Sequence, residues 1–320
     1  MSAPAPSTGI CYNELLVLFA ARPPTPRPRR NMPKAALLQG VRHCVERYLR
    51  RFETSGWNRY ADFAYGDIRA ELLTDQQLSA LRTAMLVEDH IPGYAKAYHR
   101  LFELDPSLPD VELDTRRAML HFVFKWTSDE DRHAHTLENY LRATGRVDDA
   151  DLSKEMRIAT GKPYDAPHAD PMQMAVYTVI QEKATQVFYS CLRDAVEEPV
   201  LKQVLDALSK DEARHCGFFA DLLRTYMAEP GTHDFAKVKE AVQSFKMPLY
   251  GTLDDYKRRS INMMRAAPGY HYRDAFVLIR QALGRFADAR TDSRSQSLQD
   301  LLEALDVRIV RPAAGQRAVA

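Results

Sequence analysis

Two copies of one short pattern carry the chemistry of this sequence: Asp129-Glu-Asp-Arg-His133 and Asp211-Glu-Ala-Arg-His215. Each contains Glu-x-x-His, as Glu130…His133 and Glu212…His215. Residues three apart on a helix share a face, so the carboxylate and the imidazole can reach one metal ion. A bare Glu-x-x-His is usually a surface ion pair, and the repetition of the longer Asp-Glu-x-Arg-His pattern is what distinguishes these two. Two more acids stand on otherwise apolar helical faces. Glu88 falls among Leu81, Met85, Leu86 and Ile91, and Glu182 among Val176, Val179, Ile180 and Val187. A carboxylate on such a face is costly unless it is paired or metal-bound. Four carboxylates nearly balance two ferrous ions, and mixed carboxylate–imidazole donors suit iron in both oxidation states. The four cysteines, Cys11, Cys44, Cys191 and Cys216, form no CxxC pair. That argues against zinc and iron–sulfur sites and fits an intracellular protein with free thiols.

These side chains need long helices to hold them, and helical spacing dominates from Pro33 onward. The pattern predicts helices from Pro33 to about Phe52 and from Thr74, as N-cap, to about Leu104 with a kink at Pro92. Others run from about Asp114 to Ala143, from Asp149 to Thr160, from Pro171 to Val196 and from Pro199 to Met227. Glu229-Pro-Gly231 turns the chain, and shorter helices follow near 233–245, 255–266, 272–289 and 293–306. Glu88, Glu130/His133, Glu182 and Glu212/His215 then sit on four long helices, the arrangement of ferritin-like di-iron bundles. The expected fold is all-α: a ferritin-like four-helix bundle core with additional flanking helices, one domain over residues 34–310. Residues 1–33, rich in Pro, Ala and Arg, read as a flexible arm, and 311–320 as a tail. A transit peptide for plastid import is the alternative for the first segment.

The 320 residues carry a formal charge of +1, which gives no overall bias toward nucleic acid or membranes. The apolar run Leu15–Ala21 is too short to span a bilayer. No G-x-G-x-x-G, P-loop or G-x-S-x-G occurs, which argues against nucleotide folds and hydrolases.

Several segments resemble the soluble acyl-carrier-protein desaturases. They are Val87-Glu-Asp-His-Ile-Pro92, Trp126-Thr-Ser-Asp-Glu-Asp-Arg-His133 and Tyr140-Leu-Arg-Ala-Thr-Gly-Arg-Val-Asp148, then Gln181-Glu-Lys-Ala-Thr185, Lys210-Asp-Glu-Ala-Arg-His215 and Phe245-Lys-Met-Pro248. The resemblance runs from about Val41 to Leu305. It implies six iron ligands: Glu88, Glu130, His133, Glu182, Glu212 and His215. It implies that Thr185 lies near the dioxygen site and helps deliver protons, or else only packs its helix. It gives Asp211 the task of orienting an iron-bound histidine. Trp57 and Trp126, the only tryptophans, either relay electrons or pack. Arg132 and Arg214 read as supporting or surface ion pairs. Departures from the family pattern fall at Lys183, at His135, in Gln186-Val-Phe-Tyr-Ser-Cys191 and after Pro248, and each bears on the substrate tunnel.

The implied activity is oxygen-dependent formation of a cis double bond in a fatty acyl chain carried on acyl carrier protein. A ferredoxin-like donor supplies two electrons to two irons (Fe2+/Fe3+), and dioxygen is the co-substrate. The alternatives are hydroxylation of a carrier-bound intermediate and, from another class, iron storage. Met119, Phe122, Thr178, Phe188, Phe218 and Phe219 are tunnel candidates, with plain core packing as the other reading. Arg47, Arg50 and Arg51, or Lys257, Arg258, Arg259 and Arg265, offer a basic docking face for an acidic carrier, or a solvated surface. A homodimer and a bacterial cytoplasmic location are expected, with no nucleic acid partner and no membrane span.

Overall fold

The structure is a computed structural model, and it describes residues 34–228, 235–271, 273–288 and 294–310. The predicted arm, tail and Glu229–Gly231 turn, like Cys11, lie outside the described residues. Among the described residues the fold is all-α, without strands. In chain order the helices are α1 (Lys34–Ser55), α2 (Asp75–Glu88), α3 (Ile91–Leu101), α4 (Asp110–Ala143), α5 (Asp149–Thr160), α6 (Pro171–Ala195), α7 (Pro199–Ala228), α8 (Phe235–Ser244), α9 (Tyr256–Ala266), α10 (Arg273–Asp288) and α11 (Arg294–Val310). Helices α2, α4, α6 and α7 form the ferritin-like bundle core. Helix α1 packs on α4 and α7, α9 on α2, and α8 and α10 on α6.

Local chemistry sets the ends of the core helices. Thr74 and Gln77 form a reciprocal capping box at the start of α2, with bonds of 3.1 and 2.9 Å. Asp170 accepts from the amides of Met172 and Gln173 at the start of α6, ahead of Pro171. Glu198, fully buried, accepts from the amides of Val200 and Leu201 at the start of α7 and takes the Tyr140 hydroxyl at 2.7 Å. Gly145, at φ +64°, turns the chain out of α4, a conformation that glycine adopts without steric cost.

One prediction needs correction. The expected kinked helix from Thr74 to Leu104 is two helices, broken at Asp89 and His90. Pro92 has no N–H to give the carbonyl four residues earlier, that of Glu88, so the ladder stops there. The Tyr94 hydroxyl bonds the Val87 carbonyl at 2.8 Å, beside the His90 amide at 3.4 Å. Glu88 thereby becomes the last residue of α2.

The buried apolar side chains form two clusters. One holds Tyr48, Trp126, Ile180, Cys216 and Phe219; the other holds Met85, Leu137, Phe188, Tyr189 and Leu208. Along α4, α6 and α7 the change from one cluster to the other falls at or beside the glutamates and histidines singled out above. The polar site thus occupies the seam between two apolar masses.

Candidate metal centre

All six predicted ligands meet in this seam, and none is more than 5% exposed. They form two sets of four donors: Glu88, Glu130, His133 and Glu212, and Glu130, Glu182, Glu212 and His215. Within each set the donor atoms lie within 4.8 Å of one another, and Glu130 and Glu212 belong to both. His133 Nδ1 is 3.2 Å from Glu212 Oε1 and 4.0 Å from Glu88 Oε2. His215 Nδ1 is 3.0 Å from Glu130 Oε1, 3.5 Å from Glu212 Oε2 and 3.7 Å from Glu182 Oε2.

These atoms converge without aligned hydrogen bonds. Both histidine Nδ1 atoms, Glu130 Oε1 and both Glu212 oxygens are buried with no hydrogen-bond partner. Lone pairs gathered around shared points, in a carboxylate–imidazole set, fit a pair of metal ions. Burial, with the Glu130 charge beside it, raises the Glu88 pKa well above its ordinary value. Burial and the Glu212 charge raise Glu182 to about 8. Burial opposes charge on His133 and His215, but neighbouring carboxylates outweigh it and raise both well above their ordinary values. Without a cation, therefore, protons carry the charge balance of the site.

The outer nitrogens of the histidines are held crosswise. His133 Nε2, from α4, lies 3.2 Å from Asp211 Oδ2 on α7; His215 Nε2, from α7, lies 3.3 Å from Asp129 Oδ2 on α4. This fixes Nδ1 as the metal-facing atom on both rings. Burial works against the Asp129 charge, yet bonding to His215 and the nearby Arg132 hold its pKa down at about 2. Arg132 bridges Asp129 and Asp211, at 2.7 Å from the latter, and also donates to the Trp57 carbonyl at 3.0 Å. Arg214 pairs with Asp211 at 2.7 Å and approaches Asp129 at 3.6 Å. The two arginines therefore tie the motifs together beneath the surface.

The remaining predicted residues divide. Trp57 donates its indole N–H to Asp211 at 2.9 Å and lies parallel to His133, with centroids 6.2 Å apart. Trp126 donates to Glu182 Oε1 at 3.3 Å. Thr185 is half-buried, one turn from Glu182, and its hydroxyl bonds the Gln181 carbonyl at 3.1 Å. Three supporting residues had no assigned role in the sequence. Asp129 was legible, because the repeat places an aspartate before each glutamate. Tyr48, which donates to Asp129 at 3.1 Å, gave no signal. Tyr189, whose hydroxyl bonds Glu88 Oε1, stood out only as part of a departure from the family pattern.

The six tunnel candidates are all buried in the core. None lines the cavity of about 1080 Å³ that opens between α3, the start of α4 and the loop before α6. That cavity begins at His90, two residues beyond Glu88, and reaches His168. His168 packs on Tyr98, and Tyr98 packs on Trp126, with centroids 5.5 and 4.6 Å apart. The inner wall is thus two ring contacts from a residue bonded to Glu182.

Among the described residues no helix is long and apolar enough to cross a membrane. The fatty acid desaturase family model matches residues 55–311. The acyl-[acyl-carrier-protein] desaturase DesA2 of Mycobacterium tuberculosis is 34% identical over 118 residues, 34% of this chain and 42% of that protein. The chloroplastic stearoyl-[acyl-carrier-protein] 9-desaturase 6 of Arabidopsis thaliana is 28% identical over 151 residues, 46% of this chain and 38% of that protein. The acyl-[acyl-carrier-protein] 6-desaturase of Thunbergia alata is 30% identical over 148 residues, 45% of this chain and 37% of that protein. The chain spans roughly two-fifths of the length of these curated relatives. With the family model matched across the helices that carry both donor sets, the chain belongs to the fatty acid desaturase family.

Proposed function

We propose that this chain is a di-iron acyl-[acyl-carrier-protein] desaturase that introduces a cis double bond into a carrier-bound fatty acyl chain. The observation that carries the reading is the pair of buried donor sets sharing Glu130 and Glu212. Glu88, Glu130 and His133 with Glu212 would hold one iron, and Glu130, Glu182, Glu212 and His215 the other. Iron bound there supplies the activation of dioxygen needed to remove two hydrogens from neighbouring methylenes.

The chain's own groups do the rest. Asp129 and Asp211 orient the imidazoles. Trp57, half-buried and bonded to Asp211, is the entry point for electrons from a ferredoxin-like donor. Thr185 handles protons one turn from Glu182. The cavity from His90 to His168 receives the acyl chain. For the acidic carrier, Lys257, Arg258 and Arg265 are the better face, since all three are exposed around one depression. Within it Arg258 pairs with Asp255, as Arg47 of the other cluster pairs with Asp221. The enzyme is expected to work as a homodimer in the cytoplasm of a bacterium.

The Tyr189 phenol on Glu88 favours one second reading, hydroxylation with the same centre. The deciding experiment loads the protein with ferrous iron without oxygen, then adds dioxygen, reductant and a panel of acyl carriers. Mass analysis should show loss of two hydrogens. Gain of one oxygen supports hydroxylation, and no change in any carrier-bound chain overturns both readings.

A further inference from the structure

The two outer carboxylates of the centre are tied in the same way but by unlike donors. Glu88 turns Oε2 toward His133 Nδ1 and gives Oε1 to the Tyr189 hydroxyl. Glu182 turns Oε2 toward His215 Nδ1 and gives Oε1 to the Trp126 indole at 3.3 Å. Tyr189 is fully buried, and its α6 position places it two turns beyond Glu182. A phenol O–H on a carboxylate makes a short, strong bond, whereas an indole N–H at this length makes a weaker one.

Resting on the metal-centre reading above, we propose that Tyr189 is a positioning residue that fixes Glu88 as a one-oxygen donor. The metal position at Glu88 and His133 then differs in coordination and affinity from the one at Glu182 and His215. Glu182, whose Oε1 takes only the weaker indole bond, can still offer both oxygens.

The test uses cobalt(II) as a visible probe, titrated into the metal-free full chain, with no turnover needed. The unaltered chain should take up two cobalt ions in two distinguishable steps. In Tyr189→Phe one step should weaken about tenfold or more, as loss of a hydrogen-bond partner behind a ligand does. The visible bands of that step should change while those of the other stay. Trp126→Phe should shift the opposite step by less. Circular dichroism checks the fold of both variants. If Tyr189→Phe does not fold, Trp126→Phe still decides: a tenfold or larger loss there overturns the inequality. Unchanged affinity and spectrum in folded Tyr189→Phe overturn the role of Tyr189 alone. An unaltered chain that binds no cobalt overturns the metal centre itself.

Discussion

Glu212 faces both histidines at once, 3.2 Å from His133 Nδ1 and 3.5 Å from His215 Nδ1, through different oxygens. Glu130 also belongs to both donor sets, whereas Glu88 belongs to one only. The consequence is unequal sensitivity to substitution. Glu212→Ala leaves three donors at each position and should abolish firm binding at both. Glu88→Ala leaves the second set whole and should retain about one metal per chain. Metal analysis after dialysis distinguishes the two. Titration gives a second expectation. The Glu182 pKa rises from 4.5 unfolded to about 8 folded. Between those values the native state holds a proton that the unfolded chain has released, so stability falls as pH rises. The raised His133 and His215 act in the same direction at higher pH, because they lose their charge only on passing their folded pKa. The metal-free protein should therefore melt at progressively lower temperature from about pH 5 to 8, and bound metal should remove that slope, as thermal scans across pH would show. The candidate ligand types were legible in the sequence, since each is a residue type at helical spacing, and the Asp211 role came from the family resemblance. Tyr48 and Tyr189 were not, because they reach the site from positions 81 and 101 residues away from the groups they bond.

At the scale of elements, the repeat on α4 and α7 is completed crosswise: each motif's aspartate serves the other motif's histidine. Spacing within one helix shows only that Asp129 and His133 lie a turn apart. It does not show that Asp129 turns to His215. The break at Pro92 was half legible. A proline inside a helical pattern announces a disturbance, but whether the chain bends or stops depends on what packs around the break, where the Tyr94 hydroxyl of the next helix joins the His90 amide on the Val87 carbonyl. The junction of α6 and α7 rests on Glu198, which is buried and bonds two amides of α7, the Tyr140 hydroxyl and the Arg69 amide. Glu198→Ala strips these partners together and should cost about 2 kcal/mol, from a lost helix cap and an unsatisfied buried hydroxyl. Urea unfolding of the metal-loaded protein measures it. A change below about 0.5 kcal/mol would show the network to be dispensable.

At the scale of the whole molecule, flanking helices on the outside of the bundle supply surface rather than ligands. Lys257, Arg258 and Arg265 on α9 are exposed, and α9 packs on α2, the helix that carries Glu88. Charge reversal at Lys257 and Arg265 together should raise KM for an acidic carrier several-fold at low salt and leave kcat near its original value. The difference should shrink as ionic strength rises, because exposed charges are screened. Steady-state kinetics at two salt concentrations check this. A KM that does not change moves the docking face elsewhere.

The sequence by itself determined the fold class and the helices that matter, and it picked out six candidate metal donors. These follow from local rules: periodicity, caps, and the cost of a carboxylate on an apolar face. Tertiary structure decided which donors are shared and which histidine nitrogen faces the donor cluster. It also decided which aspartate orients which ring, and which cavity lies beside the site. The six proposed tunnel residues show the difference. They lie one to three turns along their helices from the nearest candidate ligand, yet packing between helices buried them in the core, and the open space lies beside His90 and His168. Spacing along one helix fixes a direction, but a hydrogen bond or a cavity exists only where side chains from several helices meet at a common depth.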